Sequence, residues 1–569
     1  MANVDPQWID LDKIRNWIDV CATTHGERCR RASFPEPDKS QKPDTSQGTD
    51  TSQQLLGWRT LRRRSRVIPG GPVWLIDVQD ACVVAAKAQR YIALSYVWGN
   101  FEGTEARRNN LNMLRRPGAL GKQSDQIIVP KTIRHAMELA SLLGERYLWV
   151  DRFCICQDDP ESKHSQLNLM GNIFEGAYLT IVAANGWDAD HGLRGIRGVT
   201  EPRNVTSLLI TRPEYSEYVD RTRTVWYSRG WTFQEMMLSP RKLLFLYQFV
   251  LWECSGTVWY EWKGDIGNSP SSSSPTMAPF VGRRSLEAEP LEQYLDSVRQ
   301  YNARELTFPE DGLNAFLGIT TRFTVCFPDG FLWALPIKMF DKSLLWQPAE
   351  DMIRRQSKRS DSTQLPSWSW VGWQGLIKHE YWDKKGRATH SCTKFTPMCI
   401  FAYTDNRTTK TVQVVPGSHL VEPLIRQPSP ILTVHGPVAE CKLHGGQTAD
   451  NDPQRLCFKW IHRADSGDYA PRWGLMFMSY GLYSVTGTVE CELLILSSAI
   501  SSLSEEPSWR DIYGNDPRTI DFVNQGLYDY YNVLWITREN DIAYRRALGK
   551  LAITALDHIP VKWDRLQLG

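Results

Sequence analysis

Apolar residues first recur with a helical period in "PQWIDLDKIRNWIDV" (residues 6–20). There Trp8, Leu11, Ile14 and Ile18 follow one another at three and four residues, with Trp17 beside them. The spacing predicts an amphipathic helix that docks on a later part of the chain. From Ala32 to Gln54 apolar residues almost vanish, and a segment that buries so little cannot repay the entropy of ordering, so a disordered linker is expected. "VWLIDV" (73–78) and "YIALSYVWG" (91–99) then have the composition of strands, followed by a polar segment at 104–116. "PKTIRHAMELASLLG" opens on Pro130, keeps Ile133, Ala136, Ala140 and Leu143 on one face, and stops at Gly144. "RYLWVD" follows as a strand. "DPESKHSQLNLMGNIFEGA" offers Asp159 as N-cap, Pro160 in the first turn, and a stripe of Leu167, Met170, Phe174 and Ala177, leading into the strand "YLTIVAAN".

Strands and helices of this length in alternation predict an α/β unit built on a largely parallel sheet. The most apolar stretch, "LLFLYQFVLW" (243–252), is about half the length of a membrane helix and contains Gln248, so it is expected as a buried strand. "GNSPSSSSPTMAP" (267–279) is a Ser/Pro insertion. "LEQYLDSVRQYNARELTFPEDGLNAFLGI" (291–319) predicts two helices joined near Thr307 and Pro309, and the chain beyond Pro366 has the short alternating runs of a β-rich region. The expected organisation is an N-terminal helical segment (1–31), a linker (32–56), the α/β core (57–262), a Ser/Pro-rich loop (263–284), a helical extension (285–365) and a β-rich C-terminal region (366–569).

Length and charge narrow the class without naming it. A chain of 569 residues calls for more than one core. Its 66 basic and 64 acidic residues leave a formal net charge of +2, so no overall field recommends nucleic acid or an anionic membrane. Acidic residues stand where a signal peptide would be basic, and the expectation is a cytoplasmic protein with no membrane span. The 12 scattered cysteines fit reduced thiols better than a disulfide scaffold.

Three stretches hold candidate chemistry. Ligands of α/β sheets sit beyond the carboxyl ends of strands. Ser95, Tyr96, Trp98 and Gly99 lie at such an end, with Trp98 able to stack on a flat ring and Gly99 able to bring the backbone close to a ligand. The bland alternative is that Tyr96 and Trp98 only cap the core. "LWVDRFCICQDD" ends a strand at Asp151 and continues through Cys154, Cys156 and Gln157. A thiol or metal enzyme on Cys154 and Asp151 would need a histidine such as His164 or His191, and inert buried thiols are the simpler account. "CATTHGERC" (21–29) supplies only three potential ligands, so zinc there is the lesser alternative and no metal site is expected. In "SRGWTFQEMMLSPRKLLF" (228–245), Trp231 and Glu235 share a face if the segment is helical, which gives the acid an indole wall, with Arg229 or Arg241 as an ion-pair partner. Phosphate-loop, nucleophile-elbow and zinc-protease motifs do not occur.

Taken in order, "YIALSYVWG", "YLWVDRFCICQDDPESKHSQLNLMGNIFEGAYLTIVAANG" and "SRGWTFQEMMLSPRKLLFL" with "WEC" (252–254) resemble the heterokaryon-incompatibility (HET) domain family of filamentous fungi. The resemblance continues through "YNARELTFPEDGLNAFLGI", "LPSWSWVGWQG" and "YNVLWITRENDIAYRRALGKL". One departure is Cys156, where the family more often has Asn. The family implies a role in non-self recognition leading to programmed cell death, through self-association or other incompatibility proteins. It is distantly similar to TIR domains, which implies a flavodoxin-like parallel core. In that comparison "SRGWTFQE" stands where TIR proteins carry Trp-Cys-x-x-Glu, with Trp231 and Glu235 matching and Thr232 replacing the Cys. It implies a cleft of Ser95, Tyr96, Trp98, Gly99, Asp151, Gln157, Trp231 and Gln234, with Glu235 as the catalytic carboxylate that holds the ribose and NAD as a substrate rather than a resident cofactor. A non-enzymatic signalling or oligomerisation module is the alternative.

Overall fold

The computed structural model describes residues 4–25, 29, 70–122, 126–205, 222–262, 290–359, 364–379, 392–405, 409–415, 427–448, 457–463, 472–478, 488–502, 523–524 and 527–569. The expected linker and the Ser/Pro-rich loop lie outside them. Two compact units divide the chain: residues 1–289 with 314–326, and residues 290–313 with 327–569.

The first unit opens on α1, Leu11–Thr24. It begins five residues later than the sequence pattern suggests, because Asp10 caps it by accepting from the Lys13 N–H at 2.9 Å. Ile14, Trp17, Ile18 and Cys21 form its buried face, leaving Trp8 and Leu11 half-buried. An eight-stranded sheet follows. Its strands are β1 (Trp74–Asp77), β2 (Cys82–Ala85), β3 (Ile92–Ser95), β4 (Tyr147–Trp149), β5 (Leu179–Ala183), β6 (Arg241–Leu246), β7 (Phe249–Cys254) and β8 (Val258–Tyr260), in the spatial order 2-1-4-3-5-6-7-8. The inner strands β4, β3, β5 and β6 are mutually parallel. The outer pairings are antiparallel.

Counted among themselves, the four parallel strands run second, first, third, fourth, the doubly wound order whose ligand crevice opens between the first and third strands. Here those are β3 and β5, where Ser95 sits opposite Val182. Helices between them include α2 (Lys131–Leu142), α3 (Asp151–Cys154), α4 (Pro160–Asn168), α5 (Met170–Gly176), α6 (Val225–Ser228) and α7 (Gly230–Leu238). The core joins Trp17, Ile92, Leu94, Ile133, Trp149, Phe174, Ile181 and Trp252.

Three expectations change. The run 243–252 is a hairpin rather than one strand: Tyr247 turns at φ 54°, and Leu246 pairs with Phe249. Both arms are fully buried, so only Gln248 interrupts the apolar residues at the turn. Across the hairpin Lys242 and Glu253 form a buried ion pair at 3.1 Å. The stripe after Asp159 divides into α4 and α5 at Leu169. Of the two helices expected in 291–319, the first is continuous from Pro290 to Asn302, while the second is reduced to short 3-10 turns before the helix Leu317–Phe323.

The second unit is β-rich, as the alternating runs suggest. Eleven strands form one sheet, almost all antiparallel, around Ala439, Leu443, Ile461, Leu493, Val533 and Leu551. Arg545 is buried in this unit, its guanidinium 3.7 Å from the Trp346 ring centre. It donates to the Leu344 carbonyl at 2.8 Å.

Candidate functional site

β3 stops at Ser95, and its hydroxyl begins the site. The Ser95 hydroxyl donates to Glu235 Oε2 at 2.5 Å and accepts from the Trp226 indole N–H at 2.7 Å. All three residues are buried, Glu235 being 8% exposed. Glu235 reaches this point from the middle of α7. Thr232, standing where the TIR comparison has Cys, donates to the Trp226 carbonyl at 2.6 Å and so ties α7 to α6. At the far end of α7, Lys242 donates to the Met236 carbonyl at 3.0 Å.

A second polar pair lies at the same edge of the sheet. Asp151, just past β4, accepts from the Trp98 indole N–H at 2.6 Å, and the Arg152 guanidinium lies 4.4 Å from the centre of that ring. Burial raises the Asp151 carboxyl above its ordinary value. The Trp98 hydrogen bond, the Arg152 backbone N–H and the Arg229 charge pull the other way. Tyr96 is buried within reach of the Asp151 and Arg152 charges, and burial lifts its phenol well above the usual value. The polar end of β3 is thus bonded within the fold, Ser95 to Glu235 and Trp226, and Trp98 to Asp151.

The remaining sequence candidates take other positions. Gly99 turns at φ 56°, and a Cβ there would lie 2.4 Å from the Asp188 Cβ and 2.7 Å from the Trp187 carbonyl. Its neighbour is therefore the chain's own loop after β5, which also binds Trp98 through the Ala189 N–H at 3.1 Å. Gln157 donates to the Asp151 and Ile155 carbonyls, each at 3.1 Å, and braces the turn after α3. Gln234 accepts from the Gly318 N–H at 3.2 Å, on the side of α7 that meets the helix Leu317–Phe323. Trp231 is half-buried against the core. Arg241 donates to the Tyr178 carbonyl at 3.2 Å. Cys154 is buried, and burial pushes its thiol up to about 12, far from a nucleophile's range.

Sequence reasoning missed Trp226, which lies two residues before the third block. From the loop beyond β5 it named only His191, as a partner for Cys154, and missed Trp187, which is 65% exposed and packs edge-on against His191, ring centres 4.5 Å apart. Burial, and then the Arg194 charge, lower the His191 pKa. A pocket at this edge is lined by Ala183, Asn185, His191, Arg194, Tyr247 and Gln248 among others, and none of the sequence candidates for the cleft lines it. The carboxyl edge thus carries a closed polar centre at Ser95–Glu235 and an open pocket beyond β5 and β6. The signal for the pocket was available in "GWDADHG", an aromatic and a histidine between glycines past a strand end.

Known proteins match this part of the chain. The family model described as heterokaryon incompatibility protein (HET) matches residues 91–235, which run from the start of β3 to Glu235 itself. Residues 91–235 are a HET domain. The Ser95–Glu235 bond therefore joins the first strand of the HET domain to its last matched residue. One curated relative, heterokaryon incompatibility protein 6, OR allele, of Neurospora crassa, is 38% identical over 96 residues, 16% of this chain and 14% of that protein. The chain thus matches a small part of that relative's length. No solved structure matches the chain. Among the described residues no helix is long and apolar enough to cross a membrane.

Proposed function

We propose that the protein is an effector of fungal heterokaryon incompatibility, turning a non-self signal into cell death through its HET domain. The observation that carries this reading is the match over residues 91–235, whose two ends meet in the buried Ser95–Glu235–Trp226 centre. In the enzymatic form of the proposal, the carboxyl edge of the sheet binds NAD and Glu235 is the catalytic carboxylate. The bond between ribose and nicotinamide breaks, its electron pair leaves with nicotinamide, and water adds to the ribose and gives up a proton. A carboxylate beside the ribose stabilises the positive charge that develops there. Ser95 would orient that carboxylate, and an exposed indole such as Trp187 offers a face for a base.

One observation favours a second reading. Glu235 is buried and bonded, and the open pocket belongs to other residues. A HET domain that signals by assembly would need the Ser95–Glu235 bond only to hold α7 against β3. Nicotinamide release by the purified chain at high concentration separates the two. Release that is lost in Glu235→Gln supports the enzyme, whereas equal release by that variant removes Glu235 from the chemistry. No release, together with concentration-dependent assembly, favours the signalling module.

A further inference from the structure

The carboxyl edge leaves unused a set of residues that the fold gathers elsewhere in the first unit. Cys21 lies in the last turn of α1, His25 is its C-cap residue, and Cys29 follows at the same spacing of four. Three ligands fall short of a closed site, but β7 ends beside them at Cys254. One ligand atom from each of Cys21, His25, Cys29 and Cys254 lies within 4.8 Å of all the others. The three cysteines are fully buried and His25 is half-buried.

Their surroundings suit thiolates better than inert thiols. The Gly256 N–H points at Cys254 Sγ at 3.4 Å, and the Arg241 Nε–H points at Cys21 Sγ at 3.4 Å. N–H donors of this kind favour the charged sulfur and fix ligand orientation. His25 Nδ1 lies 3.3 Å from Cys254 Sγ, and the imidazole stacks on Trp259 with ring centres 5.5 Å apart. A Cβ on Gly256 would come within 2.8 Å of that imidazole, so only glycine leaves the histidine its place.

We propose that Cys21, His25, Cys29 and Cys254 form a structural zinc site that clasps the N-terminal helix to the sheet of the HET domain. Three thiolates and one imidazole make a closed tetrahedral donor set with no position left for a reacting water. Soft sulfur donors select zinc over magnesium or calcium. Zn–S bonds of about 2.3 Å in a tetrahedron put sulfurs about 3.8 Å apart, a spacing inside the 4.8 Å within which the four ligand atoms lie. Binding releases the thiol protons. It also joins groups 229 residues apart in sequence, His25 and Cys254, so the metal's binding energy becomes stability of the folded unit.

The test uses the full chain, purified under reducing conditions without chelator. About one zinc per chain is expected by elemental analysis, and Co2+ in its place should give the visible absorption of a tetrahedral thiolate site. Cys254→Ser should lose the metal, Cys254→His should keep it, and Cys82→Ser, a buried cysteine outside the cluster, should leave it unchanged. Should Cys254→Ser fail to fold, alkylation of the wild type provides the answer, because three thiols should become reactive only after a chelator strips the metal. The proposal is overturned if the reduced chain holds under about a tenth of an equivalent of zinc and takes up none when Zn2+ is added. Stoichiometric zinc in Cys254→Ser, or a disulfide between two of the three cysteines in the native chain, would overturn it equally.

Discussion

Ser95 serves two buried partners at once, and the consequences of removing it differ from those of an exposed serine. Ser95→Ala leaves the Trp226 N–H and the Glu235 carboxyl each short of a hydrogen bond. Because a stranded buried polar group costs about 1–3 kcal/mol, urea unfolding should show a loss in that range. A loss below about 0.5 kcal/mol would mean that water fills the gap. Gly99→Ala should be harsher, since the left-handed backbone and the collision with Asp188 act together. We expect a melting temperature lowered by several degrees, or insoluble protein, where a ligand-contact role alone would leave stability intact.

Asp151 adds a pH signature. Its pKa is raised by burial from an ordinary 3.8, so the folded state holds the proton more tightly than the unfolded state. Its contribution to stability is therefore greatest below pH about 4 and is lost as pH rises through the raised folded value. Asp151→Asn should flatten that part of the curve. A wild-type-minus-variant difference with no slope there contradicts the burial argument.

At the scale of elements, legibility followed how local the deciding interaction is. The capping of α4 could be read from Asp159 and Pro160 because its partner, the Ser162 N–H, is three residues away. Asp159→Ala should lower the midpoint of thermal or urea unfolding, through the lost cap and the lost contact with Arg108 at 3.0 Å. The end of β3 was equally plain, since the apolar run gives way at Ser95. The hairpin of β6 and β7 was not, because Tyr247 adopts a positive φ that Gly or Asn would have announced. The site itself was legible only in pieces. The spacing of Trp231 and Glu235 suggested a shared helix face, yet what engages Glu235 is Ser95, 140 residues away, and no spacing rule reaches that far. Cys254, the fourth member of the Cys21–His25–Cys29 cluster, escaped for the same reason.

At the scale of the molecule, the first unit is completed by a segment that lies beyond the HET domain. The Gly318 N–H binds Gln234 at 3.2 Å, and Phe316 stacks on Phe233 with ring centres 6.0 Å apart. Residues 314–326 thus support α7, and through it Glu235. Phe316→Ala should destabilise the first unit by about 3 kcal/mol, and a fragment of residues 1–289 should be less stable than one to which 314–326 is rejoined by a flexible linker. Equal stability of the two fragments would show that the segment is dispensable.

The β-rich second unit brings its own pH dependence. His379 is buried there, and burial lowers its pKa from 6.5 to about 4. The unfolded chain therefore gains a proton that the folded chain refuses, and stability should fall as pH drops from about 6.5 towards 4.

The central proposal is that this HET domain brings about cell death through Glu235 at the carboxyl edge of its sheet. The most direct measurement expresses the wild type and Glu235→Gln at matched abundance in a fungal cell and follows viability and NAD together. The account predicts death with NAD loss for the wild type and neither for the variant. Equal death from both proteins, or death with NAD unchanged, would contradict it.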